Sequence, residues 1–279
     1  MRGRGPALDR DRRVRVEGRA RARRSPTACL ACSVVITLTG DGDSEPQLPA
    51  RALVVSAHPD DVDFGASGTV ARLTAAGCAV SYAIVTDGDA GEVPESVGRD
   101  GAAVLRQTEQ RAAAAAVGVG DVRFLGFPDG RLEVSIALRA ALSRMIREVR
   151  PDVVLCQSPE RRWDRVFASH PDHLAAGEAT LQSVYPDARN PHAHPELAAE
   201  GLEAWTVREV WVFAHPGADR YVDITDTVDA KIAALRAHAS QTGAMDLDEL
   251  IRSWARATAV DGGLGDGRMA EAFLTCRTG

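Results

Sequence analysis

The chain has 279 residues, 45% hydrophobic and 26% charged, which is room for one large α/β domain of ordinary globular composition. Its net charge of −6 is unevenly spread. Residues 1–24 hold ten Arg against Asp9, Asp11 and Glu17, a net of +7, which leaves −13 for the remainder. An acidic body excludes a nucleic-acid partner, because phosphate binding needs a basic face.

Residues 1–47 read as a disordered basic leader without interleaved aromatics, ahead of a single domain over 48–279. Within the leader, Thr27–Thr39 is apolar but too short to cross a bilayer as a helix, and no small-x-small cleavage site follows it. The expectation is a cytoplasmic protein with no membrane span. Five scattered cysteines (Cys29, Cys32, Cys78, Cys156, Cys276) make no disulfide framework. Cys29-x-x-Cys32 lacks a second ligand pair, and Cys78 and Cys156 sit in core-like stretches.

From Arg51 the pattern is regular. Ala52–Ala57 is a short apolar run suited to a buried parallel strand, followed by a helix over Gly65–Ala76 that Gly77 ends. A second strand over Ala79–Thr86 leads into a Gly/Asp-rich loop, Asp87–Gly101, and then an Ala-rich helix over Ala102–Val117. Val122–Leu125 is a third strand, Ser135–Val149 a helix stopped by Arg150-Pro151, and Asp152–Gln157 a fourth strand. Leu174–Ser183 reads as a helix, Tyr185–Trp205 as a long loop able to wall a cleft, Val207–Ala214 as a strand and Thr227–Ser240 as a helix. Beyond residue 242 a helix around Asp246–Thr258 gives way to a Gly-rich irregular end. Strands alternating with helices predict an α/β, Rossmann-like, mostly parallel sheet with helices on both faces. The functional site of such a sheet lies at the carboxyl ends of its strands.

Two motifs fall at those ends. Ala57-His58-Pro59-Asp60-Asp61 follows the first strand, and His170-Pro171-Asp172-His173 follows the fourth. Together they hold the inventory of a hydrolytic zinc centre: three protein ligands, an open position for water, and acid/base groups within reach. His58 and Asp61 are close enough to share one ion, and His173 at a helix start closes the site from the far side. Asp60 is then free to act as a base, and His170 faces the substrate, kept protonated by Asp172. This is the chemistry of metal-dependent amide hydrolysis, with Zn2+ or another divalent transition metal as cofactor. Asp63 reads as a helix cap, His192, His194 and His238 as surface or packing residues, and His215-Pro216 as a turn.

The same residues resemble the PIG-L (LmbE-like) deacetylases. The likeness extends over about residues 51–241, through Gly68, Thr86-Asp87-Gly88, Arg106 with Glu109, Phe127-Pro128-Asp129-Gly130, and Lys231…His238-Ala239-Ser240-Gln241. The resemblance implies a zinc enzyme with a Rossmann-like fold that removes the acetyl group of an N-acetylglucosamine conjugate. It implies His58, Asp61 and His173 as ligands, Asp60 as base, His170 as oxyanion partner, and Arg106 and Asp129 as sugar contacts. Arg106 reads equally as a helix charge paired with Glu109, and Asp129 as a turn former. The partner is a small amino-sugar conjugate, and a homo-oligomer is compatible with the pattern. Two other readings compete. One is an NAD-dependent oxidoreductase using the Gly65-Ala66-Ser67-Gly68 loop, although His58–Phe64 separates that loop from its strand. The other is a noncatalytic zinc or sugar-binding module, which would have no use for the spare carboxylate of Asp60.

Overall fold

A computed structural model describes residues 34–36, 48–91, 97–163, 165–166 and 169–279, all within one compact unit, Cys32–Gly279. The rest of the expected leader, with Cys29 and Cys32, lies outside the described residues. The strands are β1 (Val34–Ile36), β2 (Arg51–Ser56), β3 (Ala79–Thr86), β4 (Asp121–Phe127), β5 (Val153–Gln157), β6 (Glu209–Phe213), β7 (Arg220–Asp223) and β8 (Ala270–Arg277). They form one sheet in the order β1-β7-β8-β6-β5-β2-β3-β4. Every neighbouring pair is parallel except those made by β8, which runs antiparallel to β6 and β7. β1 falls inside the stretch expected to precede the domain, and it adds to the sheet edge beside β7.

The alternation of β2 shows why the sheet needs cover on both sides. Ala52 and Val54 pack into one core with α2 (Ser67–Ala75), α3 (Gly98–Ala116), α7 (Val228–Ala237) and α9 (Leu247–Asp261). Leu53 and Val55 pack into the other with α4 (Ile136–Val149) and α5 (Pro171–Gln182). All four side chains are fully buried or nearly so, which accounts for a continuous apolar run where a half-exposed strand would alternate with polar residues. Among the described residues no helix is long and apolar enough to cross a membrane.

Chain order reverses at the centre of the sheet. β3 and β4 follow β2 on one side, while β5 and β6 lie on the other. The carboxyl ends of β2 and β5 therefore border the crevice where ligands bind in open α/β sheets. Both motifs leave the sheet there.

Three local expectations are corrected. The first helix is broken into α1 (Asp61–Gly65) and α2, and so starts directly at the first histidine–aspartate motif. The tail beyond Thr258 is ordered as the end of α9 and the edge-inserted strand β8, and the short strand β7 was not anticipated. Tyr185–Trp205 does not wall the crevice. It contains a helical turn (Ser183–Ala188) and α6 (Pro195–Ala199), and the Trp205 indole donates to the Pro151 carbonyl at 2.8 Å, at the amino end of β5. Arg147, buried near the end of α4, donates to the carbonyls of Asp187, Asn190 and Ala193 at 3.2, 2.9 and 3.0 Å. Those contacts hold the segment at the sheet edge opposite the motifs.

Candidate metal centre

Ala57 ties three strand ends together before the first motif begins. Its N–H donates to Gln157 Oε1 at 2.7 Å, and its carbonyl accepts from the Thr86 N–H and hydroxyl, both at 2.9 Å. The chain then turns sharply. Asp60 adopts φ 88°, a left-handed conformation that Asp tolerates better than most residues. This turn sends the Asp60 and Asp61 carboxylates in different directions.

Three side chains from the two motifs meet, Asp61 through both of its oxygens. His58 Nδ1 lies 3.2 Å from His173 Nε2, His173 Nε2 lies 3.0 Å from one Asp61 oxygen, and the other Asp61 oxygen lies 3.3 Å from His58 Nδ1. A tetrahedron with ~2.0–2.1 Å bonds has edges of roughly 3.3 Å, so these residues fit a small divalent ion. His58, His170 and His173 also bring one ring nitrogen each within 4.8 Å of one another, but His170 Nδ1 accepts the Asp172 N–H at 3.2 Å and caps α5. A second convergent group, His58 with Asp129 and Asp172, is closed. There Asp129 accepts the Ala90 N–H at 2.8 Å, and Asp172 accepts those of Gly130 and Leu132 at 2.7 and 3.2 Å. Both carboxylates lie behind the His58 ring, with Asp129 Oδ1 2.9 Å from Nε2. A carboxylate on the far nitrogen fixes the ring and raises its basicity, and it leaves Nδ1 as the nitrogen for the ion.

The electrostatics follow the contacts. Burial lowers His58, but the Asp129 and Asp61 carboxylates outweigh it and raise its pKa. Burial raises Asp61, yet His173 and His58 hold it well below the usual carboxylate range. Asp60 is pushed up to about 7 by burial and by the Asp61 carboxylate, with Arg106 opposing. His170 is lowered by burial and by its two histidine neighbours.

These contacts place several of the expected site residues differently from the sequence reading. The Asp172 side chain does not pair with His170; its oxygens go to two backbone amides and to His58 Nε2 at 3.3 Å. His170 is therefore neutral, with Nδ1 occupied as an acceptor and its proton on Nε2. Arg106 and Asp129 are both buried and contact groups of the site itself, Arg106 at Asp60 and Asp129 at His58. Arg106 donates to the Pro59 carbonyl at 2.7 Å, to Asp60 Oδ2 at 3.0 Å and to the Gly88 carbonyl at 2.9 Å. Glu109, the alternative partner of Arg106, instead accepts from the Ser240 N–H and hydroxyl at 2.8 and 2.7 Å. Asp63 caps no helix, and His238 is fully buried and lies 2.9 Å from Asp63. Gln110, unnoticed in the sequence, sits one turn after Arg106 on α3 and bonds both Asp60 and Asp63.

The PIG-L family model, described as GlcNAc-PI de-N-acetylase, matches residues 53–184. The diacetylchitobiose deacetylase of Thermococcus kodakarensis is 31% identical over 191 residues, 68% of this chain and 70% of that protein. The chain belongs to the PIG-L family. A 1D-myo-inositol 2-acetamido-2-deoxy-alpha-D-glucopyranoside deacetylase of Kineococcus radiotolerans is 31% identical, covering 73% of this chain and 72% of that one. Among solved structures, the N,N'-diacetylchitobiose deacetylase from Pyrococcus horikoshii with its inhibitor MPG superposes with a TM-score of 0.75. It is 27% identical and covers 82% of this chain and 84% of its own.

Close packing accounts for the glycines that suggested a dinucleotide loop. A Cβ on Gly65 would lie 2.5 Å from the Phe213 ring, and one on Gly68 2.8 Å from Ile224, so both glycines serve close packing of helix on sheet. The start of α2, where a pyrophosphate would dock, is occupied by Glu271. Its carboxylate accepts the N–H groups of Gly68 and Thr69 at 3.0 and 2.7 Å and pairs with buried Lys231 at 2.6 Å. The oxidoreductase reading fails on this contact, since a second anion cannot share the same helix terminus.

Proposed function

We propose that the chain is a zinc-dependent N-deacetylase that hydrolyses the acetamide of an N-acetylglucosamine-type conjugate, a small amino-sugar molecule. The observation that carries this is the set of 3.0–3.3 Å contacts among His58, His173 and the two Asp61 oxygens, with the Asp60 carboxylate beside them at the strand-end crevice. The acetylated amino sugars named for both curated relatives support the substrate class. Free Cys78, Cys156 and Cys276 support action in a reducing compartment, the cytoplasm.

In this reading His58, Asp61 and His173 would hold the zinc ion, which would supply Lewis acidity and lower the pKa of a water toward ~7. Asp60, oriented by Arg106, accepts a proton from the water that attacks the amide carbonyl, a role worth ~10²–10⁴-fold. Neutral His170 donates its Nε2–H to the carbonyl oxygen as negative charge grows there. One such donor contributes roughly 3–4 kcal/mol. Asp60 then returns its proton to the leaving nitrogen as the C–N bond breaks, giving acetate and a free amine. A noncatalytic module would not need a base so placed.

A panel of N-acetylated amino sugars, assayed for free amine, tests the reading. Zinc-loaded protein is expected to turn over at least one member, and chelated protein none. Asp60→Asn is expected to keep its zinc and lose turnover by ~10²-fold or more. Near-parental activity in Asp60→Asn would show that the base lies elsewhere.

A further inference from the structure

Behind the metal centre runs a chain of hydrogen bonds that none of the roles above uses. Gln110, Asp63 and His238 are each fully buried. The Asp60 N–H donates to Gln110 Oε1 at 2.8 Å, Gln110 Nε2 donates to Asp63 Oδ2 at 2.9 Å, and His238 Nε2 lies 2.9 Å from that same oxygen. The direction of every bond is fixed by chemistry. A backbone amide only donates, so Gln110 must present its oxygen to Asp60 and its NH2 to Asp63. A carboxylate only accepts, so His238 must carry its proton on Nε2.

The bond that Gln110 makes to Asp60 falls at the one strained peptide of the site. Asp60 takes its left-handed φ of 88° with the N–H of the Pro59–Asp60 peptide bonded into the protein at Gln110. Arg106 grips the other side of that peptide, at the Pro59 carbonyl, and the carboxylate itself. Arg106 and Gln110 lie four residues apart on α3 and so share one helix face. The helix is anchored behind them by Glu109 on Ser240, two residues beyond His238.

We propose that Gln110 is a positioning residue for the Asp60 base. Its amide transmits the rigidity of the buried Asp63–His238 pair to the turn that aims the Asp60 carboxylate. The proposal rests on the assignment of Asp60 as base. It assigns a function to the His238 end of the chain, more than 170 residues from the motif it serves. A Gln110 that only filled space would be replaced without loss by leucine of similar volume.

The test uses the full chain and two readouts. In metal-free protein, hydrogen exchange at the Asp60 amide is expected to speed up at least ~10-fold in Gln110→Leu. The Thr86 amide, bonded to the Ala57 carbonyl, should keep its protection. In zinc-loaded protein, acting on the best amino sugar of the panel, kcat is expected to fall roughly 10²-fold, as a misaligned reacting group does. KM and zinc affinity should stay within about 2-fold. Placed in the Asp60→Asn background, Gln110→Leu should lower kcat no further, because the group it aims is gone.

Parental kcat in Gln110→Leu overturns the proposal, and so does a full-sized loss in the Asp60→Asn background. Activity surviving in Asp60→Asn alone overturns the base assignment instead, and the proposal with it. If Gln110→Leu does not fold, a polarity swap decides the matter. Gln110→Glu alone sets two carboxylates against each other and should lose turnover. Adding Asp63→Asn restores the bond with its direction reversed, and His238 follows by moving its proton to Nδ1, which has no partner among the described residues. Recovery of ~10-fold or more over Gln110→Glu supports the proposal, and absence of recovery overturns it.

Discussion

Gly177→Ala should disable the proposed metal centre from a position outside its proposed ligands. Gly177 lies in the middle of α5, where the helix crosses the end of β5. A Cβ there would sit 2.3 Å from the Gln157 carbonyl oxygen and 3.0 Å from the Pro159 nitrogen. Both are backbone atoms and cannot rotate away. Real Cβ contacts essentially never fall under 3.0 Å, so the helix must retreat from the sheet by about 0.7 Å, the difference between 3.0 and 2.3 Å. His173 is four residues earlier on the same helix face and moves with it. A metal site tolerates errors of ~0.2 Å in ligand distance, so the displacement is several times what His58, Asp61 and His173 can absorb. Zinc affinity is expected to fall ~10–100-fold, the loss typical when a ligand loses its support. Overpacking should cost ~1–3 kcal/mol of stability in metal-free protein. A competition titration with a chromophoric chelator reads the first and urea unfolding in EDTA the second. Parental values in both would mean that α5 can shift freely over β5, and the account of how His173 is positioned would be wrong.

Two further substitutions separate the assigned roles. Asp129→Ala removes the carboxylate behind the His58 ring and should weaken zinc binding ~10–100-fold with KM for the amino sugar unchanged; a raised KM at parental zinc affinity would instead make Asp129 a sugar contact. Arg147→Met releases backbone carbonyls of the 187–202 segment and should lower stability by roughly 1–3 kcal/mol. It should also speed proteolysis within that segment and leave kcat unchanged, whereas a folded variant with a tenfold lower kcat would place the segment at the crevice after all.

The parallel core was legible because its signals are local. Ala52–Val55 and Val153–Cys156 are buried on both faces and so read as unbroken apolar runs. β7 and β8 were not legible for the converse reason. Arg220–Asp223 has only four residues, two of them partly exposed, and Ala270–Arg277 follows a Gly-rich stretch that masks it. β8 is specified by its neighbours on both sides, β6 and β7, and such pairing across the sequence leaves little trace in the strand itself. The 185–205 segment misled because Pro and His enrichment marks an irregular stretch without saying which edge of the sheet it covers. Arg147, which decides the edge, lies some forty residues upstream.

The site divides along the same line. The motifs supplied the atoms that meet, since His58 with Asp61 and His170 with His173 are each within one turn of chain. What holds those atoms comes from elsewhere: Asp129 behind His58, Arg106 and Gln110 on α3, and His238 beneath Asp63. Each is polar and buried, and hydrophobic periodicity says nothing about such residues. Their signal was the mismatch itself. Arg106, Glu109 and Gln110 put three long polar side chains on one face of an Ala-rich helix whose next turn, at Ala113 and Ala114, is buried in the core. A helix face that turns from alanine to arginine, glutamate and glutamine as it nears a strand end must bury charge or amide there. Buried polar groups need partners, and in this fold the partners within reach are the backbone and carboxylates of the Pro59–Asp63 turn.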